Sequence, residues 1–361
     1  MENRSDYVTE EMSLQNTTLS SENSTLSSEG YYVCWFRASS YEEYITFLGM
    51  FCFVNPLISL VGFVSNMISL AVLGRSGLHK SSNILLFGLV IADSLLLCTT
   101  LNYGVILFYL GPNKPLPRLC GFQYENNLNL FLALSQILMD FLGFWGQYVN
   151  SWIPVLITLE RLIATFRPMT FKSIVTKRRT ITLVLFCFLF WLPWNLYFSQ
   201  QLKIVVRLYQ GTKYVLVGYV NYDELMVKNF IEIFVTENLK SIIPVICVSV
   251  GCLCLSIKIT STLRNRSKLT SSHNLRTSSM RTTRTLTLTC VIFVVTQVIH
   301  IAGEHVTSSP YEMHYLVRNQ FMYLFNNINA SSNLFVYITS NKKLYNIFLK
   351  LFQRKHITAI R

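Results

Sequence analysis

Charge is what this chain has least of. Asp, Glu, Lys and Arg make up 14% of its 361 residues against 51% hydrophobic residues, too apolar a balance for an ordinary soluble globule. Acids are the scarcer sign, 18 against 31 bases. There is no H-E-x-x-H or G-x-S-x-G motif and the six histidines are scattered, so nothing argues for a hydrolytic enzyme. No internal repeat, glycine-rich filter or pore-like ring motif stands out, which leaves a channel or transporter as the alternative of another class. The net charge of +13 would suit nucleic acid, but the bases interrupt apolar runs rather than lining one face, and no nucleic-acid partner is expected. The first thirty residues lack the apolar core of a cleavable signal, so the first span is expected to serve as its own insertion signal.

What is present is a series of apolar runs near 45–73, 83–110, 130–165, 181–199, 232–263, 284–305 and 315–339. Each is long enough, at about 1.5 Å per residue, to cross about 30 Å of hydrocarbon. The reading is an all-α bundle of seven transmembrane helices. Segments 74–82, 166–180, 264–284 and 339–361 together hold 19 Lys/Arg and no acid, whereas residues 1–43 hold eight acids. The positive-inside rule then puts those four segments in the cytosol and the N-terminus outside. The expected organisation is an extracellular head (1–43), a seven-transmembrane domain (44–340) and a cytoplasmic tail (341–361), in a multi-pass protein of the plasma membrane.

The head is polar and rich in Ser and Thr, a composition expected to stay disordered. Its sequons at Asn3, Asn16 and Asn23 fit extracellular glycosylation. Of nine cysteines, seven fall inside spans, where they act as small apolar residues. Cys34 and Cys120 lie in predicted extracellular segments; a disulfide between them is one reading, two free thiols or a bridge to another chain the others.

Charges inside the apolar runs are the most informative residues. Asp93 interrupts NILLFGLVIADSLLL, and Glu160-Arg161 closes WIPVLITLERLIATF. A charge at mid-membrane costs roughly 3 kcal/mol on insertion scales, so one that is kept is a functional candidate.

The pattern resembles a rhodopsin-like, class A G-protein-coupled receptor over about residues 45–353. Asn66 in GFVSNMISLAVL, Leu89 with Ala92-Asp93, Glu160-Arg161-Leu162 followed by Pro168, Pro244, and Asn329, Asn333 and Tyr337 in INASSNLFVYITSNKKLYNIF carry the likeness. Leu344 and Phe348 suggest a short amphipathic C-terminal helix on the membrane surface. The chain departs from the family at Leu334 and Ile299, where prolines are usual, at Gln297 for a tryptophan and at Leu162 for an aromatic. Gln136 stands where span three usually begins with cysteine, and 200–231 contains no cysteine, so the family's standard disulfide cannot form. The divergence is similar to that of invertebrate FMRFamide-type peptide receptors and molluscan chemosensory receptors.

The resemblance implies a receptor that binds an extracellular ligand and activates a heterotrimeric G protein. Glu160, Arg161 and Tyr337 would be the G-protein switch, the arginine presenting its fork to the incoming protein once the sixth span swings outward. Asn66, Asp93, Asn150, Asn329 and Asn333 would form a polar network near mid-membrane, with oxygens suited to a sodium ion, the one cofactor considered. Asp140, Gln147, Glu237, His300, Glu304 and Tyr323 would face a ligand pocket. Its three acids would attract a cationic group, which favours a neuropeptide, with a small environmental molecule sensed by a chemosensory receptor as the alternative. The basic loop and tail are expected to touch membrane lipid, and the Ser/Thr-rich 264–284 offers phosphorylation sites.

Overall fold

The computed structural model describes residues 46–47, 49–101, 126–199, 202–209, 212–219, 234–267, 290–303, 313–340 and 344–350. The chain forms a helical bundle: α1 (Met50–Ser76), α2 (Ser81–Leu97), α3 (Asn126–Phe166), α4 (Lys177–Ser199), α5 (Ile243–Ser267, entered through the π-helix Phe234–Ile242), α6 (Cys290–Gly303), α7 (Met313–Ser331) and α8 (Asn333–Ser340). A one-turn helix, Phe171–Ile174, precedes α4, and residues 344–350 are helical. Among the described residues, Met50–Ser76, Leu130–Phe166, Lys177–Ser199 and Asn238–Lys258 are long and apolar enough to cross a membrane, and Ser81–Leu97 and Cys290–Gly303 are shorter apolar helices.

The bundle is turned inside out relative to a soluble protein. On α1 the large apolar side chains Leu57, Leu60, Val61 and Val64 point outward, while Ser59, Asn66 and Ser69 are buried. Outward apolar stripes recur on α4 (Leu185, Phe186, Leu189), α5 (Ile246, Val250, Leu253, Ile257) and α6 (Val291, Val295, Val298). Lipid tails are as apolar as leucine, so burying leucine gains little there; close packing and interhelical hydrogen bonds hold such helices together. Small residues provide the close packing. A Cβ on Gly62 would lie 2.0 Å from Ser331 Oγ, and one on Gly88 2.8 Å from Val184 Cγ1. One on Gly146 would lie 2.4 Å from the backbone nitrogen of Leu96, so α2 and α3 touch backbone to side.

Prolines mark where helical geometry changes. The π-helical turn Met50–Val54 directly precedes Asn55-Pro56, and the π-helix Phe234–Ile242 directly precedes Ile243-Pro244. A proline lacks an N–H and its ring crowds the carbonyl four residues back, and the wide π turn just upstream absorbs both defects. Pro154 lies within the 41 residues of α3. At about 1.5 Å per residue that helix is roughly 60 Å long, enough to pass well beyond the hydrocarbon layer.

The seventh span departs from the family pattern and still breaks. It lacks the usual proline, yet α7 ends at Ser331 and α8 starts at Asn333. Ser331 Oγ donates to the Asn327 carbonyl at 2.6 Å, Ser332 Oγ to the Asn329 carbonyl at 2.8 Å, and the Ser332 N–H bonds three residues back to Asn329. Serine hydroxyls that compete for helix carbonyls, and serine pairs in particular, bend helices.

One element was not expected. Leu202–Tyr209 and Thr212–Tyr219 pair as an antiparallel hairpin, β1 and β2, in register from Leu202 opposite Tyr219 to Tyr209 opposite Thr212. It joins α4 to α5, and β2 packs on α3. The runs LKIVVRLY and TKYVLVGY, rich in β-branched and aromatic residues and separated by Gln210-Gly211, carried a readable hairpin signal.

Candidate functional site

Three layers of polar residues run through the bundle, from the hairpin end to the basic end. The basic end is the most fully connected. Glu160 is 4% exposed and Arg161 17%. Arg161 Nη2 stands 3.4 Å from Glu160 Oε2 and donates to Ser82 Oγ at 2.5 Å. Ser82 in turn donates to Glu160 Oε1 at 3.0 Å, and Ser81 Oγ to the same oxygen at 2.6 Å. A closed ring thus joins the end of α3 to the first turn of α2, where the helix dipole also favours the carboxylate. Ser81 and Ser82 were not singled out from sequence. The visible signal was two hydroxyls opening a span directly after a basic loop.

At mid-bundle, Asp93 and Asn333 meet across α2 and α8, the Asn333 amide donating to Asp93 Oδ2 at 2.5 Å. Asn66 on α1 donates to the Ala330 carbonyl at 3.2 Å, and Asn333 Nδ2 reaches the same carbonyl at 3.3 Å. That carbonyl, beside the Ser332 break, therefore ties α1, α7 and α8 together and through Asn333 also holds α2. Asp93 Oδ1, Asn66 Oδ1 and Tyr337 Oη are buried with no hydrogen-bond partner among the described residues. Asn150 is buried on α3, while Asn329 is half-buried and contributes its carbonyl to the Ser332 break. Among the described residues the hydrogen bonds to Asp93 come from Asn333 and none from Asn66, Asn150 or Asn329.

A second amide cluster, which sequence reading missed, lies nearer the hairpin end of α1 and α7. Asn55 Nδ2 donates to Gln320 Oε1 at 2.9 Å and to the Gln320 carbonyl at 3.0 Å, and Asn327 Nδ2 donates to Asn55 Oδ1 at 3.3 Å. Thr100 of α2's terminal turn bonds both Asn327 Oδ1 and Ser59. Asn55 was not singled out from sequence, where it stands directly before Pro56 in an apolar run.

The candidate ligand pocket is only partly assembled from the residues proposed for it. Gln147 on α3 and His300 on α6 do meet, Nε2 to Nε2 at 3.3 Å. Asp140 lies one turn after Gln136, the residue standing where the family usually has cysteine, on the same helix. Tyr323 is half-buried on α7. Of Glu237 only the backbone, in the π-helix before α5, is described, and Glu304, Cys34, Cys120, Asn3, Asn16 and Asn23 lie outside the described residues. Lys240 was not anticipated: its ammonium lies 5.5 Å above the Tyr148 ring, which stacks on Trp191 at 5.0 Å. A cation on the π-helix before α5 lies within electrostatic reach of His300. Gly143, where amine receptors keep an aspartate, is pressed against α2: a Cβ there would lie 1.7 Å from Thr99 Oγ1 and 2.9 Å from the Thr99 backbone nitrogen.

Residues 53–349 match the family described as serpentine type 7TM GPCR chemoreceptor Srw. A FMRFamide receptor of Drosophila melanogaster is 26% identical over 141 residues, which cover 39% of this chain and 24% of that receptor. The match spans about a quarter of that relative's length. With apolar helices facing outward, buried amides inside and a family match over most of its length, this multi-pass membrane chain belongs to the Srw family of serpentine G-protein-coupled receptors.

Proposed function

We propose that this chain binds a ligand at the outer, hairpin end of the bundle and activates a heterotrimeric G protein at its basic, cytosolic end. The single observation that carries the reading is the ring of Glu160, Arg161 and Ser82. It holds a guanidinium at the mouth of the bundle through one ion pair and one hydroxyl, bonds that an incoming protein helix can replace. Tyr337, whose hydroxyl is buried without a partner among the described residues, would re-pair in the same transition. The positive-inside rule supports a plasma-membrane receptor with its N-terminus outside. A peptide ligand is supported by the likeness to a FMRFamide receptor; a small environmental molecule is supported by the chemoreceptor description of the family.

The test is a calcium or nucleotide-exchange assay on cells carrying the full chain, screened with amidated neuropeptides against waterborne odorants. An agonist from either set whose affinity falls when GTP is added is the expected result, because ligand and G protein are thermodynamically linked through the receptor. A ligand-gated current with no nucleotide effect would point to a channel instead and reject the proposal.

The mid-bundle oxygens support a sodium ion as a resident modulator. Asp93 Oδ1 and Asn66 Oδ1 are buried acceptors without hydrogen-bond donors among the described residues, and oxygen donors suit a hard cation. Replacing Asp93 with Asn removes the charge while keeping a side chain that can still bond Asn333. Agonist affinity measured in sodium against N-methylglucamine should then lose its sodium dependence, expected at about fivefold or more in the parent chain. The same salt response in parent and variant would discount the ion.

A further inference from the structure

Where α3, α5 and α6 cross, one turn inside Arg161, three side chains outside the switch and the network form a connected series. Thr158 on α3 is buried, and its hydroxyl donates to the Pro154 carbonyl at 2.8 Å. With its proton committed there, Thr158 Oγ1 is the acceptor for Cys290 of α6, whose sulfur lies 3.6 Å away. Cys252 of α5 packs against the buried cluster that contains Cys290. The hydrogen bonds therefore run from Cys290 to Thr158 and from Thr158 to the carbonyl of Pro154, with the Cys252 thiol of α5 packed beside them. Such chains strengthen one another in a low dielectric, although the thiol bond is weak.

The surroundings fix these groups in place. A Cβ on Gly251, adjacent to Cys252, would lie 2.3 Å from Thr158 Cγ2, so α5 rests directly on the Thr158 methyl group. Cys290 packs with Phe293, Val245 and Val248, and Cys252 and Val155 pack against that cluster. The series ends on the proline of α3, which has no N–H to give to the helix.

We infer that Thr158, Cys252 and Cys290 form a polar clasp that holds α6 against α3 and α5 in the closed arrangement and thereby sets the receptor's basal activity. The inference rests on the G-protein reading above, since opening α6 is what the clasp opposes.

Two measurements on the full chain in membranes test it. The first is ligand-free guanine-nucleotide exchange. Thr158→Val keeps the methyl packing on Gly251 and deletes the hydroxyl, and Cys290→Ala deletes the central thiol. Each should raise basal exchange about threefold, the shift expected from losing one interhelical hydrogen bond of average strength in a membrane bundle. The second is oxidation by copper(II)–phenanthroline. The two thiols give up two protons and pass two electrons to copper, forming a Cys252–Cys290 disulfide that is read as a linked peptide by mass spectrometry. The linked protein should show basal exchange below the untreated level, and Cys252→Ala should abolish both the link and that fall. Parental basal exchange in Thr158→Val at equal surface level would overturn the inference, as would absence of the linked peptide. The cross-link does not depend on a G protein. A linked peptide with no exchange in any form of the chain would therefore reject the coupling reading, and the basal-activity role with it, while leaving the contact established.

Discussion

Replacing Arg161 with alanine will abolish agonist-stimulated nucleotide exchange, a loss of tenfold or more, on the order of 1.4 kcal/mol or above for a charged fork removed from a docking surface. Surface expression of the variant should stay near that of the parent chain. The reason lies in the partners left behind. Without the guanidinium, Glu160 Oε2 loses its ion pair, but Oε1 still accepts from Ser81 Oγ at 2.6 Å and Ser82 Oγ at 3.0 Å, which keeps the carboxylate anchored. Arg161 itself is half-buried, and its removal opens space at the rim rather than in the core. Exchange and cell-surface labelling measured on the same cells decide the matter: full signalling in Arg161→Ala rejects the assigned role, and loss of signal accompanied by loss of surface protein means the ring is structural. A lysine would rescue poorly, because one ammonium cannot reproduce a planar two-pronged donor.

A second large effect is expected far from any charge. Gly146→Leu should prevent the chain from reaching the surface, and Gly146→Ala should lower its melting temperature in detergent markedly. A Cβ at this position would stand 2.4 Å from the Leu96 nitrogen and 2.7 Å from the Ala92 carbonyl oxygen. Those are backbone atoms of α2 and cannot rotate away, so α2 and α3 must separate. Overpacking typically costs about 1 to 3 kcal/mol when side chains can adjust, and here the obstacle is rigid. Asp93 lies on the same stretch of α2 as Ala92, so the mid-bundle network would be displaced too. Gly74→Ala is the control, since nothing lies within 4 Å of a Cβ there. Normal surface levels of Gly146→Leu would show that the two helices have freedom this packing does not suggest.

Much of the fold was legible because hydropathy and charge act over whole segments. The apolar runs near 45–73, 130–165, 181–199 and 232–263 became α1, α3, α4 and α5 with ends shifted by a few residues. In span two, α2 runs to Leu97 and passes into a turn, and the rest of the apolar run, 102–110, lies outside the described residues. The hairpin between α4 and α5 escaped notice although its pattern was readable, because a search for runs of about 20 residues passes over two strands of eight.

Site residues were legible one at a time. Asp93, Asn333, Asn66, Glu160 and Arg161 announce themselves by polarity in apolar surroundings, since an unsatisfied polar group there is costly. Their partners do not. Ser81, Ser82, Asn55 and Lys240 sit near helix ends or prolines, where polar residues are ordinary, Gln320 sits inside α7, and nothing in the sequence says which neighbour each will face.

The sequence by itself determined that helices must span lipid, which end carries the basic loops and which buried residues need partners, because these follow from transfer free energies that belong to each residue and add along the chain. Tertiary structure alone decided that Ser82 closes the Glu160–Arg161 ring, that one carbonyl at Ala330 collects amides from α1 and α8, and that Thr158 of α3 meets Cys290 of α6. Pairing depends on helix rotation and on how closely glycines let backbones approach, and those are properties of two surfaces in contact that no single segment contains.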